Sequence, residues 1–350
     1  MVKNRAEKSQ LFKKRPGKIN KGENKMCKKK VIIDSDYGTY YDDAFALLYA
    51  VQNDDLDILA VNSSYGDTAI RARIAKKLLR VAGREEIKVN AGIPGSMSGG
   101  AYMFGFEGQN ILTEEDWKDP TLAPDSYNAD DAIIELVKKY PHEVTIITTG
   151  TVTNIAAALI KEPKVAELAK ELIMMAGVVV PIVDEKGVSR SPVEEYNLNN
   201  DTFAAQIVWK SGINMTMVPI DVTLKVPLAP EQIERIKNTD TPIARQVRDI
   251  IAVWPEQEYI IYTSVGIPTE FTGLWLHDPL TIGVARDRSF IKEARLHVDV
   301  EFAPTVILRD MIIRNDILRT IPKKAAPNMS VAIGVDNKRF TEDFTNAICK

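Results

Sequence analysis

The chain has 350 residues, 45% hydrophobic and 27% charged, so it can bury a large core as one big α/β domain or two smaller ones. Its 2 cysteines, Cys27 and Cys349, lie at opposite ends of the sequence, which argues against a disulfide framework and against a thiolate metal site. The formal charge is −3, no apolar run is long enough to span a membrane, and no secretory-signal core follows the basic N-terminus, so the expected location is cytoplasmic.

The first feature in chain order is a basic run. Residues 1–30 carry 12 Lys or Arg against 2 Glu, which makes that stretch +10 and the remainder −13. It lacks the aromatic interleaving of a stacking platform, so residues 1–28 read as a solvated, disordered tail and nucleic acid is not an expected partner.

From Lys29 to Leu48 an apolar run ends in Asp34-Ser35-Asp36, passes through a turn containing Gly38, and enters a periodic segment that opens with Asp42-Asp43. The pattern predicts a buried strand, a loop and a helix. Asp34 and Asp36 share one face of the strand, while Asp42 and Asp43 sit at a helix N-terminus whose dipole offsets part of their charge. Carboxylates packed this closely raise one another's pKa unless a cation intervenes. A single Asp here reads equally well as a cap or turn and as part of a site; all of them together after an apolar strand read as a site. Oxygen ligands without Cys or clustered His point to calcium or magnesium rather than zinc.

Further strands are predicted at Leu56 to Ser64, from Ile87, at Glu143 to Thr149, at Glu171 to Gly177 and at Met215 to Ile220. Helices are predicted from Ala69 to Ala82, from a cap at Asn128 to Lys139, from Ile155, and from about Asp201. Residues 92–127, rich in Gly, Ser and Pro, make a loop too long for a plain connection and read as a binding wall or lid. Residues 230–262 read as helical, with Trp254, Tyr259 and Tyr262 as an aromatic stripe of the kind that is more often core than pocket. His277-Asp278-Pro279 stands at a helix start, whereas His142 and His297 read as structural. The end of the chain reads as strands at Ala294 to Phe302 and Val331 to Val335, then a helix from Lys338. The alternation predicts an α/β fold: one domain over residues 29–350, an open, mostly parallel twisted sheet flanked by helices with a Rossmann-like core. Ligands of such sheets gather outside the strands' carboxyl ends, where Asp34, Asp36, Asp67, Thr149 and Asp221 fall.

From Lys29 to the C-terminus the motifs resemble the inosine-uridine preferring nucleoside hydrolase family. Asp34-Ser35-Asp36 with Asp42-Asp43-Ala44 matches its first signature, Gly150-Thr151-Val152-Thr153-Asn154-Ile155-Ala156 its Gly-x-x-Thr-Asn-Ile-Ala segment, Glu195-Tyr196-Asn197 its Glu-Phe-Asn, and His277-Asp278-Pro279-Leu280 its late His-Asp-Pro element. The resemblance implies hydrolysis of the N-glycosidic bond of a ribonucleoside, a bound calcium ion (Ca2+), a place in purine or pyrimidine salvage, and a homo-oligomer, dimer or tetramer. Carried over by position, Asp36 would be calcium ligand and general base, with Asp43, the Thr149 carbonyl and Asp278 as the other ligands and Asp34 supporting them from behind. Asp42, Glu195 and Asn197 would hold the ribose, with Asp67 beside the sugar, and His277 would assist departure of the base.

Asp67 stands where the family often has Asn, Tyr40 occupies a commonly acidic loop position, the family's extra ribose-binding Asn has no counterpart around Val188-Ser189-Arg190, and the loop Met103-Phe104-Gly105-Phe106 lacks a His. Two rival readings differ in class. A haloacid-dehalogenase-like phosphatase would use Asp34 as nucleophile and Asp36 as acid/base with magnesium. A non-catalytic, calcium-dependent ribose-binding protein would keep the pocket without turnover.

Overall fold

The apolar run at Lys29–Ser35 forms β1, near the middle of a single sheet. The computed structural model describes residues 28–38, 40–179, 195–264, 273–300 and 326–350, the side chains of 262–264 excepted. Among these, the other strands are β2 Leu56–Ser63, β3 Val89–Ala91, β4 Thr145–Thr148, β5 Glu171–Met175, β6 Met215–Val218, β7 Ile291–Leu296 and β8 Met329–Val335. Their order across the sheet is β3-β2-β1-β4-β5-β6-β8-β7, parallel throughout except for β7, which pairs antiparallel with β8.

Parallel strands are covered on both faces, which is why β1 reads as continuous rather than alternating hydrophobicity. Val31 and Ile33 pack into a core that includes the helices Asp42–Val51, Thr68–Val81, His277–Arg286 and Asn337–Ile348. Ile32 faces the opposite core, built with the helices Ala129–Lys139, Thr153–Lys161 and Thr202–Lys210. The chain runs outward from β1 through β2 to β3, then returns to place β4 on the other side of β1. That reversal opens a crevice beyond the carboxyl ends of β1 and β4, the usual place for a ligand in such a sheet.

Several boundaries differ from the sequence reading for local reasons. β6 stops at Val218 because Pro219 follows, and Ile220–Thr223 turns into a short helix, so Asp221 lies one turn beyond the strand. Asn128 occupies the position before the helix Ala129–Lys139, yet its side chain makes no capping bond. The segment 92–127 is not all loop. Its second half holds the helix Glu114–Lys118, opened by a reciprocal Thr113–Asp116 capping box, and Arg73 donates to the carbonyls of Asp116 and Asp119 at 2.8 and 2.7 Å. The helical stretch after Pro230 is divided into Pro230–Asn238 and Pro242–Ser264; along it Trp254 is buried and Tyr259 exposed. Residues 1–27 of the basic tail, Val188-Ser189-Arg190, the Tyr262 side chain and Phe302 lie outside the described residues.

Candidate active site

At the end of β1 the backbone N–H of Thr149 donates to the Asp34 carbonyl at 2.9 Å, carrying the β1–β4 ladder just past the end of β4. The Asp34 side chain is fully buried: its Oδ2 accepts from Asn154 at 2.9 Å, and its Oδ1 has no partner. Burial pushes its pKa up to about 7. Ser35 ties strand to helix, accepting from the Thr149 hydroxyl at 2.8 Å and donating to Asp43.

Asp36 is the first residue beyond β1 rather than its last. An ideal Cβ on Gly150 would stand 2.9 Å from the Asp36 nitrogen and 3.0 Å from its Oδ1, so the loop after β4 approaches this closely only because residue 150 has no side chain.

Asp42 and Asp43 open one helix and Asp278 lies in the first turn of another, so two positive helix ends meet here. Carboxylate oxygens from these three buried residues lie within 4.8 Å of one another. Desolvation first, and then repulsion from their acidic neighbours, Asp36 included, raises Asp42 to about 7 and holds Asp43 and Asp278 well above the carboxylate range. Asp36 is not a member of this closest trio, although its charge acts on each member. The all-oxygen donor set and its burial fit a hard divalent cation.

The neighbouring polar groups come from β4, β5 and the helix Tyr196–Asn200. Glu195 caps that helix: its Oε1 accepts from Asn197 N–H at 2.7 Å, and its Oε2 from Gly177 and Leu198 N–H, each at 2.9 Å. Asn197 donates from Nδ2 to the carbonyls of Thr149 at 2.8 Å and Met175 at 3.1 Å. The Thr149 carbonyl thus has one lone pair engaged and a second available. Asp67 is exposed and caps the helix Thr68–Val81, accepting from Ile70 N–H at 3.0 Å. Asp221 accepts from Val179 N–H at 2.8 Å.

His277 is buried next to the trio, with its Nδ1 2.7 Å from the Thr223 hydroxyl. Thr223 Oγ1 lies farther, 3.2 Å, from the Ile220 carbonyl. The hydroxyl has one proton for these two acceptors: given to Ile220 O it leaves the ring proton on Nδ1, and given to Nδ1 it leaves the ring proton on Nε2. Tyr40 stands edge-on to His277 at 6.0 Å between centroids and to Trp254 at 4.3 Å. Burial lowers the His277 pKa to about 4, so the ring is neutral at pH 7, not poised near it as its reference value suggests. His142 and His297 have structural contacts only: a turn at φ 62 for the first, bonds to Ala326 O and Asp299 for the second.

Sequence reasoning passed over Ser35, Thr223, Tyr37 and Arg71. The last had a legible signal: a lone Arg in register with Ala75 and Leu78 on the apolar face of its helix. Arg71 is the only Lys or Arg fully buried among the described residues.

A crevice at the switch point of a parallel sheet, lined by carboxylates that converge from two helix starts, defines an α/β enzyme that acts on a polar small molecule. The chain belongs to the inosine-uridine preferring nucleoside hydrolase family, whose profile matches residues 31–342. It is similar to the pyrimidine-specific ribonucleoside hydrolase RihA of Shewanella woodyi, with 30% identity over 256 residues, 72% of this chain and 77% of the relative. It is also similar to the uncharacterized protein C1683.06c of Schizosaccharomyces pombe, 33% identical over 72% of this chain and 78% of the relative. Among solved structures, the purine-preferring ribonucleoside hydrolase from Gardnerella vaginalis superposes with a TM-score of 0.73 at 26% identity, over 92% of this chain and 98% of its own. A plant nucleoside hydrolase gives the same TM-score, 0.73, at 25% identity over 92% of this chain and 99% of its own. The protein is therefore a hydrolase acting on small N-ribosyl compounds, which removes the phosphatase reading. Among the described residues no helix is long and apolar enough to cross a membrane.

Proposed function

We propose that this protein is a calcium-dependent ribonucleoside hydrolase in which Asp36 is the general base. The observation that carries the reading is the meeting of Asp42, Asp43 and Asp278 oxygens within 4.8 Å beside Asp36. Asp36, Asp43, the Thr149 carbonyl and Asp278 would hold the ion, which when bound acidifies a water and orients ribose hydroxyls.

The chain's own groups do the rest. Asp36 accepts the proton of the attacking water. Asp42, Asn197 and the remaining acceptor capacity of Glu195 hold the ribose, with Asp67 at the sugar-side rim. Cleavage leaves an oxocarbenium-like sugar, and buried carboxylates stabilise that positive charge more strongly than water would. The neutral His277 presents Nε2–H to the departing base, while Tyr40 and Trp254 give its side of the crevice an aromatic face. The same reading makes the enzyme a cytoplasmic homo-oligomer, dimer or tetramer, acting in purine or pyrimidine salvage.

The test is a panel of purine and pyrimidine ribonucleosides, with and without a calcium chelator, assayed for free ribose. Ribose release that stops with chelation is expected. Nucleoside binding with no ribose appearing over hours would overturn the assignment and return the non-catalytic reading.

A further inference from the structure

The turn that carries Asp36 is shaped by one helix face. Arg71, buried without measurable exposure, reaches from the helix Thr68–Val81 under the turn, where its Nη1 donates to the Asp36 carbonyl and, at 3.2 Å, to the Tyr37 carbonyl. The same Nη1 lies 3.8 Å from the Asp36 Oδ2. One turn further along that helix, Ile74 fills the space beside Gly38: an ideal Cβ there would stand 2.7 Å from Ile74 Cδ1, and Gly38 holds φ +100, a conformation that favours glycine. Three successive residues, Asp36 to Gly38, are thus moulded against Arg71 and Ile74. On its other side the guanidinium is covered by Met103, whose sulfur lies 3.4 Å from Nη2.

We infer that Arg71 is a positioning residue for hydrolysis: by gripping two consecutive carbonyls it fixes the angle at which the Asp36 carboxylate meets the attacking water. The inference rests on the reading of Asp36 as general base. Both bonds leave one nitrogen, Nη1, whose two N–H directions are fixed in the guanidinium plane, whereas a lysine ammonium rotates about its last bond and defines the two carbonyls less well. A buried cation in a site this rich in carboxylates is also kept in place by their charge, so no conformational change is needed to set the base.

The experiment compares Arg71→Lys and Arg71→Gln with the parent, each also in an Asp36→Asn background. Melting temperature, calcium affinity by calorimetry, kcat and KM are measured. The expected result is a fall in kcat of about 10- to 100-fold with KM and calcium affinity within about threefold of the parent, as for a misaimed group. The loss should disappear when Asp36 is already Asn, because Arg71 then has no base to aim. Either variant that melts within about 5 °C of the parent carries the test. Unchanged kcat, a raised KM at constant kcat, a loss that persists in the Asp36→Asn background, or failure of both variants to fold would overturn the inference. A parent that releases no ribose would instead sink the hydrolase reading itself, so the two failures are distinguishable.

Discussion

The backbone N–H of Asp278 donates to the Oδ2 of Asp42 at 3.2 Å, joining the starts of two helices 236 residues apart. Carboxylates brought together this way repel unless a cation is present, so their cost to the fold depends on metal and on pH. Asp34 and Asp42 are held at about 7 against an ordinary 3.8. Their folded pKa is raised, so the metal-free folded state binds more protons than the unfolded chain between those values, and its stability falls as pH rises across that window. Calcium needs its carboxylate ligands ionised, and Asp43 and Asp278 are held well above the carboxylate range, so its affinity should climb as pH rises from about 5 to 7.5. Melting curves with chelator at about pH 5 and 7.5, and calorimetric titration with calcium at both, check this. At a free calcium level 100 times Kd the ion should add about 2.7 kcal/mol. A chelated protein no less stable at the higher pH would contradict the account.

Asp36→Asn keeps the size of the side chain and removes its ability to accept a proton. Turnover should fall by about 100- to 10,000-fold, the range for a lost general base, with the fold intact and calcium binding partly retained. Steady-state kinetics alongside a calcium titration separate the two effects. Near-normal kcat would refute the role assigned to Asp36.

These residues show where the sequence was informative. The Asp34–Asp43 stretch announced strand, turn and helix because burial on both sheet faces leaves a continuous apolar run, and acids at a helix start are visible in one dimension. That Asp278 meets Asp42 and Asp43 followed from family order; no local pattern encodes a contact across 236 residues. The short helix Glu114–Lys118 escaped notice although Thr113-Glu114-Glu115-Asp116 spells a capping box, because so few residues leave no apolar period to read. The His277 pKa was also out of reach, since its fall to about 4 comes from burial in the folded structure.

Glu195 has a second duty besides the sugar. Its carboxylate accepts three backbone N–H groups, from Gly177, Asn197 and Leu198, and so ties the segment after β5 to the helix Tyr196–Asn200. In Glu195→Gln an amide NH2 would face at least one of those donors. The expected cost is about 1.5–3 kcal/mol, read as a lower melting temperature, together with a raised KM. A raised KM at unchanged stability would leave Glu195 as a ribose contact alone.

His277 and Thr223 supply the sharpest test of how the base leaves. Burial holds the imidazole pKa at about 4, so the protonated ring is scarce at neutral pH and the group this reading puts on offer is Nε2–H of the neutral ring, with Nδ1 accepting from Thr223. Two consequences separate this from catalysis by an imidazolium. The rate should show no decline as pH rises through about 6.5 that disappears in His277→Phe, because that is the titration of an unburied imidazole. Thr223→Val should also lower kcat by about tenfold while leaving calcium affinity unchanged, since it frees the tautomer without touching the carboxylates. A histidine shifted down in the folded state stabilises the protein above its unfolded pKa of about 6.5 and loses that contribution as pH falls towards 4, so His277→Phe should flatten the acid side of the melting profile. A His277-dependent midpoint near 6.5 in kcat would show instead that the substrate-bound ring is protonated, and Thr223 would then be a structural partner only.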